Sequence, residues 1–457
     1  MDASAPTTIG RGVDARWVWL VLGTWLLLNA ALLWLYYAGP APKPLIGDEF
    51  DYDRRAIALL AGQPVPETFI WPPGQTWFIA ATYRLFGTHV LAVQIVQITL
   101  LLACAGLLAQ LWRPVIGARA AFAAASLFLL NPTTVATAHW LWPEVTHLVC
   151  LLGALVLLFG PRRTPAHAFA AGLLIGLALL FKSLLGAWWP LLLLCFVARR
   201  DGRVRVDARA ASVFVVGLLL ATAPALWKGW VETGRPMIAD SSMYNLEVGL
   251  ADRSRSDYID EAGAPALKAF IASAPTPRER NALALARIEQ TLHDRGVADV
   301  LADQAGTQYF RLFNAKTLLV SQLPGPACAG RLGAYPPGAA TPWVAAAAMA
   351  WHALTLVLAA FGIALWRRWR SAVALLTASF VLYQLVLYFG LHVMQRYLFQ
   401  MLPFLCAFAG ALVTLHAPAG TTSVLSVTPL RVAIGSAGAA MLLALAFLGP
   451  LLDGACR

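Results

Sequence analysis

The chain has 457 residues, 59% of them hydrophobic and only 12% charged, with a formal net charge of +11. A mean hydropathy of +0.67 excludes a soluble domain of this size and points to a polytopic helical membrane protein. The apolar runs are long and rich in Leu and Ala, not the alternating ten-residue segments of a membrane barrel, so the expected class is all-α.

The first run, Trp17 to Tyr37, is too long for the apolar core of a signal peptide, and no small-residue cleavage site follows it. It is expected to be an uncleaved first span. In chain order the apolar runs predict eleven spans: 17–37, 90–112, 120–138, 144–160, 167–182, 184–198, 211–227, 343–366, 371–392, 397–416 and 431–450. The pair 167–182 and 184–198 is short, as in a bent or re-entrant unit.

Lys and Arg placement sets the orientation. The loops of one face hold fifteen arginines, among them Arg163, Arg203 and Arg368, against four acids, Asp2, Asp14, Asp201 and Asp207. The whole excess of +11 therefore lies on that face, which is expected to be cytoplasmic, with the N-terminus inside and the C-terminus outside. A basic pI near 9.7 then records membrane topology and not nucleic-acid binding. The expected location is the inner (plasma) membrane.

Two segments interrupt the membrane pattern, the loop 38–89 and the stretch 228–342, both expected outside. They divide the chain into an N-terminal transmembrane module, 1–227, an external helical loop domain, 228–342, and a C-terminal transmembrane module, 343–457. Thr76 to Phe86 is too short to span and reads as a helix at the outer interface, with Trp71 and Trp77 in the aromatic belt. In the longer stretch, Thr276-Pro277-Arg278-Glu279 has the pattern of a capping box with Pro at the first helical position. A second helix is expected from Val297 to Phe313, and Pro324, Pro326, Pro336 and Pro337 predict an irregular return to the membrane. Cys104, Cys150, Cys195 and Cys406 fall in spans as small apolar fillers, whereas Cys328 and Cys456 share the external side, where a disulfide can form.

Charges next to hydrocarbon are costly, so they mark candidate function. Outside the first span lies Gly47-Asp48-Glu49-Phe50-Asp51-Tyr52-Asp53, followed by Arg54 and Arg55. Asp48 has two roles open to it: a helix N-cap, or a general base acting on an acceptor hydroxyl. Four acids within six positions raise one another's pKa, and the two arginines oppose this. Glu144, in His139-Trp140-Leu141-Trp142-Pro143-Glu144, is either an interfacial cap or a second site carboxylate. Lys182 is a snorkelling anchor or a phosphate contact, since a lone buried ammonium needs an anionic partner. Arg396, beside Tyr397, lies on the outer side where the positive-inside trend does not require it, and is a head-group anchor or a phosphate contact. His139 and His147 are too loosely spaced for a metal site. Asp48, Glu144, Lys182 and Arg396 all fall on one membrane face and are expected to converge. An acid to activate a nucleophile and cations to hold a leaving phosphate are what transfer from a phospho-lipid requires.

These residues resemble the GT-C glycosyltransferases of the protein mannosyltransferase and lipid-A aminoarabinose transferase type, especially their bacterial relatives. Gly47-Asp48-Glu49 with Tyr52, Ala56 and Gly62 is similar to the family's acid motif. Trp71-Pro72-Pro73-Gly74 followed by Tyr83-Arg84-Leu85-Phe86-Gly87 resembles its Pro-Pro-Gly and Leu-Phe-Gly pattern. Pro143-Glu144, the Gly-rich run from Gly172 to Lys182, Gly234-Arg235-Pro236, and Arg396-Tyr397 with Pro403 continue the likeness in order. Where many relatives carry Arg near the start of the second span, this chain has Gln94.

The resemblance implies an inverting transfer with Asp48 as catalytic base and Glu49 beside it. Lys182, Arg396 and Arg55 would hold the donor phosphate; Glu144, Tyr52, Trp71, Tyr397 and His139 would line the substrate. The donor would be a polyprenyl-phosphate-linked sugar, and the acceptor a glycan, lipid or protein, with membrane lipids around and no nucleic acid. No cofactor is required, and no metal-spaced cluster supports a divalent ion. The alternative is a transporter or flippase of lipid-linked glycans. Paired repeats with mid-membrane charges would mark it, and the acids here sit outside.

Overall fold

Long Leu- and Ala-rich runs form long helices, because in a bilayer only a segment that bonds its own backbone is stable. The computed structural model describes residues 12–37, 45, 47–64, 69–161, 164–200, 203–239, 241–251, 253, 255, 267–315, 319, 341–416 and 423–452. The N-terminal helices are α1 (Ala15–Tyr37), α2 (Asp48–Leu60), α3 (Gly74–Phe86), α4 (Val90–Ile116), α5 (Ala118–Leu129) and α6 (Pro132–Thr137). Then come α7 (Glu144–Phe159), α8 (Pro165–Phe181) and α9 (Ala208–Thr233), with an antiparallel hairpin, β1 (Val197–Arg200) and β2 (Arg203–Val206), between the last two. The rest is α10 (Ser241–Ala251), α11 (Pro277–Arg295), α12 (Val297–Phe313), α13 (Thr341–Leu365), α14 (Ala372–Gly390), α15 (Leu402–Ala411) and α16 (Pro429–Leu452).

Among the described residues, α1, α4, α9, α13, α14 and α16 are long and apolar enough to cross a membrane, and α5, α7, α8 and α15 belong to shorter apolar helices. The all-α polytopic class holds. Eleven full spans do not emerge among the described residues, and the differences have local causes. The expected span 120–138 breaks after Leu129: Asn131 accepts from the Thr133 N–H at 3.0 Å and starts α6, with Pro132 at its first turn. The expected span 184–198 is no α-helix. It runs through tight 3₁₀ turns at Ser183–Leu185 and Trp189–Phe196, where Pro190 removes a backbone donor, and passes directly into β1. The expected span 397–416 opens as a 3₁₀ turn, Gln395–Gln400, and becomes α-helical at Leu402.

Helix α8 presses on α9 through glycine. A Cβ at Gly172 would lie 1.9 Å from the Phe214 carbonyl oxygen, and one at Gly217 would lie 2.3 Å from that of Phe169. Small residues let membrane helices pack backbone to backbone, where dispersion replaces the missing hydrophobic drive. The N- and C-terminal helices meet at a buried aromatic cluster. Trp112 of α4 stands edge-on to Trp366 at 5.8 Å and to Phe408 of α15 at 5.3 Å, and Trp366 meets Phe408 at 5.2 Å.

The capping box at α11 forms as expected, with Thr276 and Glu279 bonding reciprocally, and α12 covers the expected Val297–Phe313. Pro324, Pro326, Pro336 and Pro337, and the proposed Cys328–Cys456 pair, lie outside the described residues. Cys104, Cys150 and Cys406 are buried and free.

Candidate active site

Gly47 leads the chain into α2 at φ +57°, a conformation that favours glycine, and offers no side-chain cap. Asp48 does not cap the helix. Its Oδ2 accepts from Nη2 of Arg396 at 2.6 Å, across 348 residues of sequence. With Glu49 and Asp51 it occupies the first turn of α2, where the helix dipole favours negative charge. Glu49 points inward, fully buried, and its Oε1 accepts the Leu141 N–H at 3.0 Å. Burial raises the Asp51 carboxyl above its ordinary value; Arg54 pulls it down and Asp48 pushes it up. Tyr52 is buried in the same turn. Burial first, then the Asp48 and Glu144 charges, hold its phenol well above the usual range and therefore neutral. Arg55 is buried beside it, and its charge acts on both Tyr52 and Asp51.

The turn between α6 and α7 completes the floor. Buried peptide groups outside a helix need partners, and glutamines supply them. Gln97 donates to the Ala138 and Trp140 carbonyls at 3.2 and 2.7 Å, Gln94 to the His139 carbonyl at 3.0 Å, and Gln75 to that of Leu141 at 3.1 Å. Gln94 also accepts from the Tyr37 hydroxyl at 2.8 Å. Gln94, where the resemblance implied Arg, is thus a structural amide in this chain.

The turn delivers Trp142, stacked on Trp140 at 4.2 Å, under the Arg396 guanidinium at 4.1 Å from the ring centroid. Two residues on, Glu144 begins α7. Pro143, not Glu144, holds the capping position. Glu144 Oε1 instead lies 3.0 Å from Lys182 Nζ and 3.9 Å from Arg396 Nε. Its Oε2 is buried without a hydrogen-bond partner among the described residues.

Lys182 ends α8 in extended backbone. Its side chain is 12% exposed, so it is not a snorkelling anchor, and its Nζ sits 4.7 Å from the Tyr397 ring centroid. Burial works against charge on Arg396, but the Asp48 and Glu144 carboxylates more than reverse it and hold the guanidinium firmly charged. Asp48, Arg396, Glu144 and Lys182 thus form a continuous chain of alternating charges drawn from four distant segments.

The remaining expected residues divide. Tyr397 stacks on Tyr388 at 5.5 Å and flanks both cations. Trp71 is partly buried between the Tyr52–Tyr83 cluster and the Ile70–Tyr244–Phe270 cluster, joining α2 and α3 to α10. His139 packs toward α1, with Nε2 3.0 Å from Asn29 Oδ1 and its ring 5.5 Å from Tyr36. His147 bonds the Ala178 carbonyl at 2.9 Å, and no group of three or more His, Cys, Asp and Glu among the described residues is disposed to hold a metal. Sequence reasoning missed Trp142, Tyr388 and Gln75. Trp142 had a signal: it stands next to Pro143-Glu144.

The fold and site define a polytopic helical membrane protein with a buried acid–base chain joining α2, α7, α8 and the turn before α15. Residues 71–227 match the family described as dolichyl-phosphate-mannose-protein mannosyltransferase, which bears out the expected class of membrane glycosyltransferase. No curated protein matches the chain. ArnT from Cupriavidus metallidurans bound to undecaprenyl phosphate is 17% identical, with 95% of this chain and 90% of that one covered and a TM-score of 0.42. The same protein in its apo state is 20% identical, with 88% and 79% covered and a TM-score of 0.41. An Archaeoglobus fulgidus oligosaccharyltransferase tethered to an acceptor peptide is 13% identical, with a TM-score of 0.47; 95% of this chain is covered, but only 54% of that one.

Proposed function

We propose that this chain moves a sugar from a polyprenyl-phosphate donor to an acceptor hydroxyl, with inversion, on the outer face of the inner membrane. The observation that carries this is the ion-pair chain, which sets a candidate base, Asp48, directly beside candidate phosphate ligands, Arg396 and Lys182. The family over residues 71–227, named for a dolichyl-phosphate sugar donor, supports a lipid-phosphate substrate.

As it stands the set is neutral, two carboxylates against two cations, so an incoming phosphate must displace a partner. Asp48 is the partner in reach of exchange, its side chain being 29% exposed against 1% for Glu144. At an effective dielectric near 20, a unit charge at 4 Å from a cation gains about 4 kcal/mol. The donor's phosphodiester carries one negative charge, as Asp48 does, so it can take the carboxylate's place on Arg396 and leave the set neutral, while the departing polyprenyl phosphate, a monoester of higher charge, is held more strongly. Donor binding then frees Asp48 at the moment a base is needed.

The acceptor oxygen attacks C1 of the sugar, the bond from C1 to the phosphate oxygen breaks, and polyprenyl phosphate leaves toward Lys182 and Arg396. The hydroxyl proton passes to Asp48. One displacement inverts C1. Arg55 adds positive potential from α2, Glu49 fixes the Leu141 peptide, and Tyr52, Trp71 and Tyr397 shape the substrate side.

The test has two arms. Mass spectrometry of envelope lipids and glycans from a deletion strain identifies the sugar and acceptor. Complementation with Asp48→Asn should then restore about 1% of product or less, the scale of general-base catalysis, while the purified variant still binds undecaprenyl phosphate. Lys182→Ala and Arg396→Ala should weaken that binding. Near-normal product from Asp48→Asn removes the base assignment, and wild-type binding by both cation variants removes the phosphate assignment.

A further inference from the structure

Arg396 is reached through residues 391–394, a strap with no regular helix between α14 and the turn that bears it. Such a strap has few internal hydrogen bonds to fix it. It is held from the side by α10 and α12. The His392 N–H donates to the Asn245 carbonyl at 2.8 Å. Helix α10 comes so close that a Cβ at Gly249 would lie 2.6 Å from the His392 nitrogen.

Gln308 of α12 ties the two together. Its Nε2 donates to the Gly249 carbonyl at 3.2 Å, and its Oε1 accepts the Val393 N–H at 3.1 Å. Gln304, one turn earlier, donates to the same carbonyl at 2.8 Å, and Arg311, nearly a turn later, donates to His392 Nδ1 at 3.1 Å. All four side chains are buried. An amide bonded at both ends to backbone of different elements fixes their relative position, because slippage would leave buried peptide groups unpaired.

We infer that Gln308 is a positioning residue: by gripping Val393 and Gly249 together, it sets where Arg396 stands between Asp48 and Glu144. This rests on the phosphate role proposed for Arg396. The helices between the two transmembrane modules thereby act on donor binding without touching the donor.

The full chain, purified in nanodiscs, would be titrated with undecaprenyl phosphate as wild type, Gln308→Leu, Gly249→Ala, Arg396→Ala and the Gln308→Leu/Arg396→Ala double variant. Gln308→Leu removes both bonds; Gly249→Ala wedges the strap with a single methyl and serves if the first variant folds poorly. Each should weaken binding about fivefold to tenfold, the scale of a lost buried hydrogen bond, and speed hydrogen exchange across 391–400. In the Arg396→Ala background, Gln308→Leu should add less than about twofold, since a residue acting through Arg396 has nothing left to position. Full additivity, or wild-type affinity in both Gln308→Leu and Gly249→Ala beside a weakened Arg396→Ala, overturns the positioning role alone. Wild-type affinity in Arg396→Ala overturns the phosphate assignment beneath it, whatever the exchange data report.

Discussion

Glu144 is the residue on which the site's charges balance. One carboxylate oxygen serves Lys182 at 3.0 Å and faces Arg396 at 3.9 Å, from a side chain that is 1% exposed. Removing one member of a buried ion pair costs far more than the pair is worth, because the other charge stays buried without compensation. Glu144→Gln should therefore destabilise the protein by about 3–5 kcal/mol, read as a lower thermal midpoint in detergent. Lys182→Met in the Glu144→Gln background should recover part of that loss, because it removes the ammonium left without its carboxylate. No recovery would show that Lys182 does not bear the uncompensated charge. The four members of this chain were legible in the sequence because isolated charges beside apolar runs are rare. Trp142, Tyr388 and Gln75 were not, because tryptophan, tyrosine and glutamine near membrane helices look the same whether they fill a core or floor a site.

At the scale of elements, sequence patterns fixed by local chemistry were readable. The Thr276–Glu279 box and the extent of α12 needed only capping and periodicity, and both match. Hydropathy could not see where apolar sequence stops being helix. Residues 184–198 are as apolar as any span, yet Pro190 and the run into β1 make them turns. The α6–α7 turn is a similar case: its backbone lies buried, outside a helix, and persists because three glutamines complete its hydrogen bonds. Gln97→Leu should test that dependence. It leaves the Ala138 and Trp140 carbonyls without their donor, at about 1–3 kcal/mol. Beyond a lower unfolding midpoint, it should weaken undecaprenyl-phosphate binding, since the same turn carries Trp142 beneath Arg396. A destabilised variant with unchanged binding would place the turn's role in folding only.

For the whole molecule, the aromatic lock of Trp112, Trp366 and Phe408 and the salt-bridge chain from Asp48 to Arg396 join the first and last parts of the sequence, so the site exists only when both are packed. Convergence of that kind was expected from one premise, that all four charged residues share a membrane face. The premise rests on the distribution of arginine. Transferring a cluster such as Arg203 and Arg205, exposed on β2, across a bilayer is costly, and retention of Lys and Arg on the cytoplasmic side orients the helices between. The expected orientation therefore places β2 inside and α11 outside. Single cysteines at Arg203 and at Glu289, an exposed position on α11, test it in a background with Cys328 and Cys456 replaced by serine. An impermeant maleimide should label the Glu289 cysteine in intact cells and the Arg203 cysteine only after lysis. The opposite pattern would put the candidate active site on the cytoplasmic face. Donor and acceptor would then have to be sought among cytoplasmic lipids and glycans, with the same four residues keeping their geometry but not their proposed substrates.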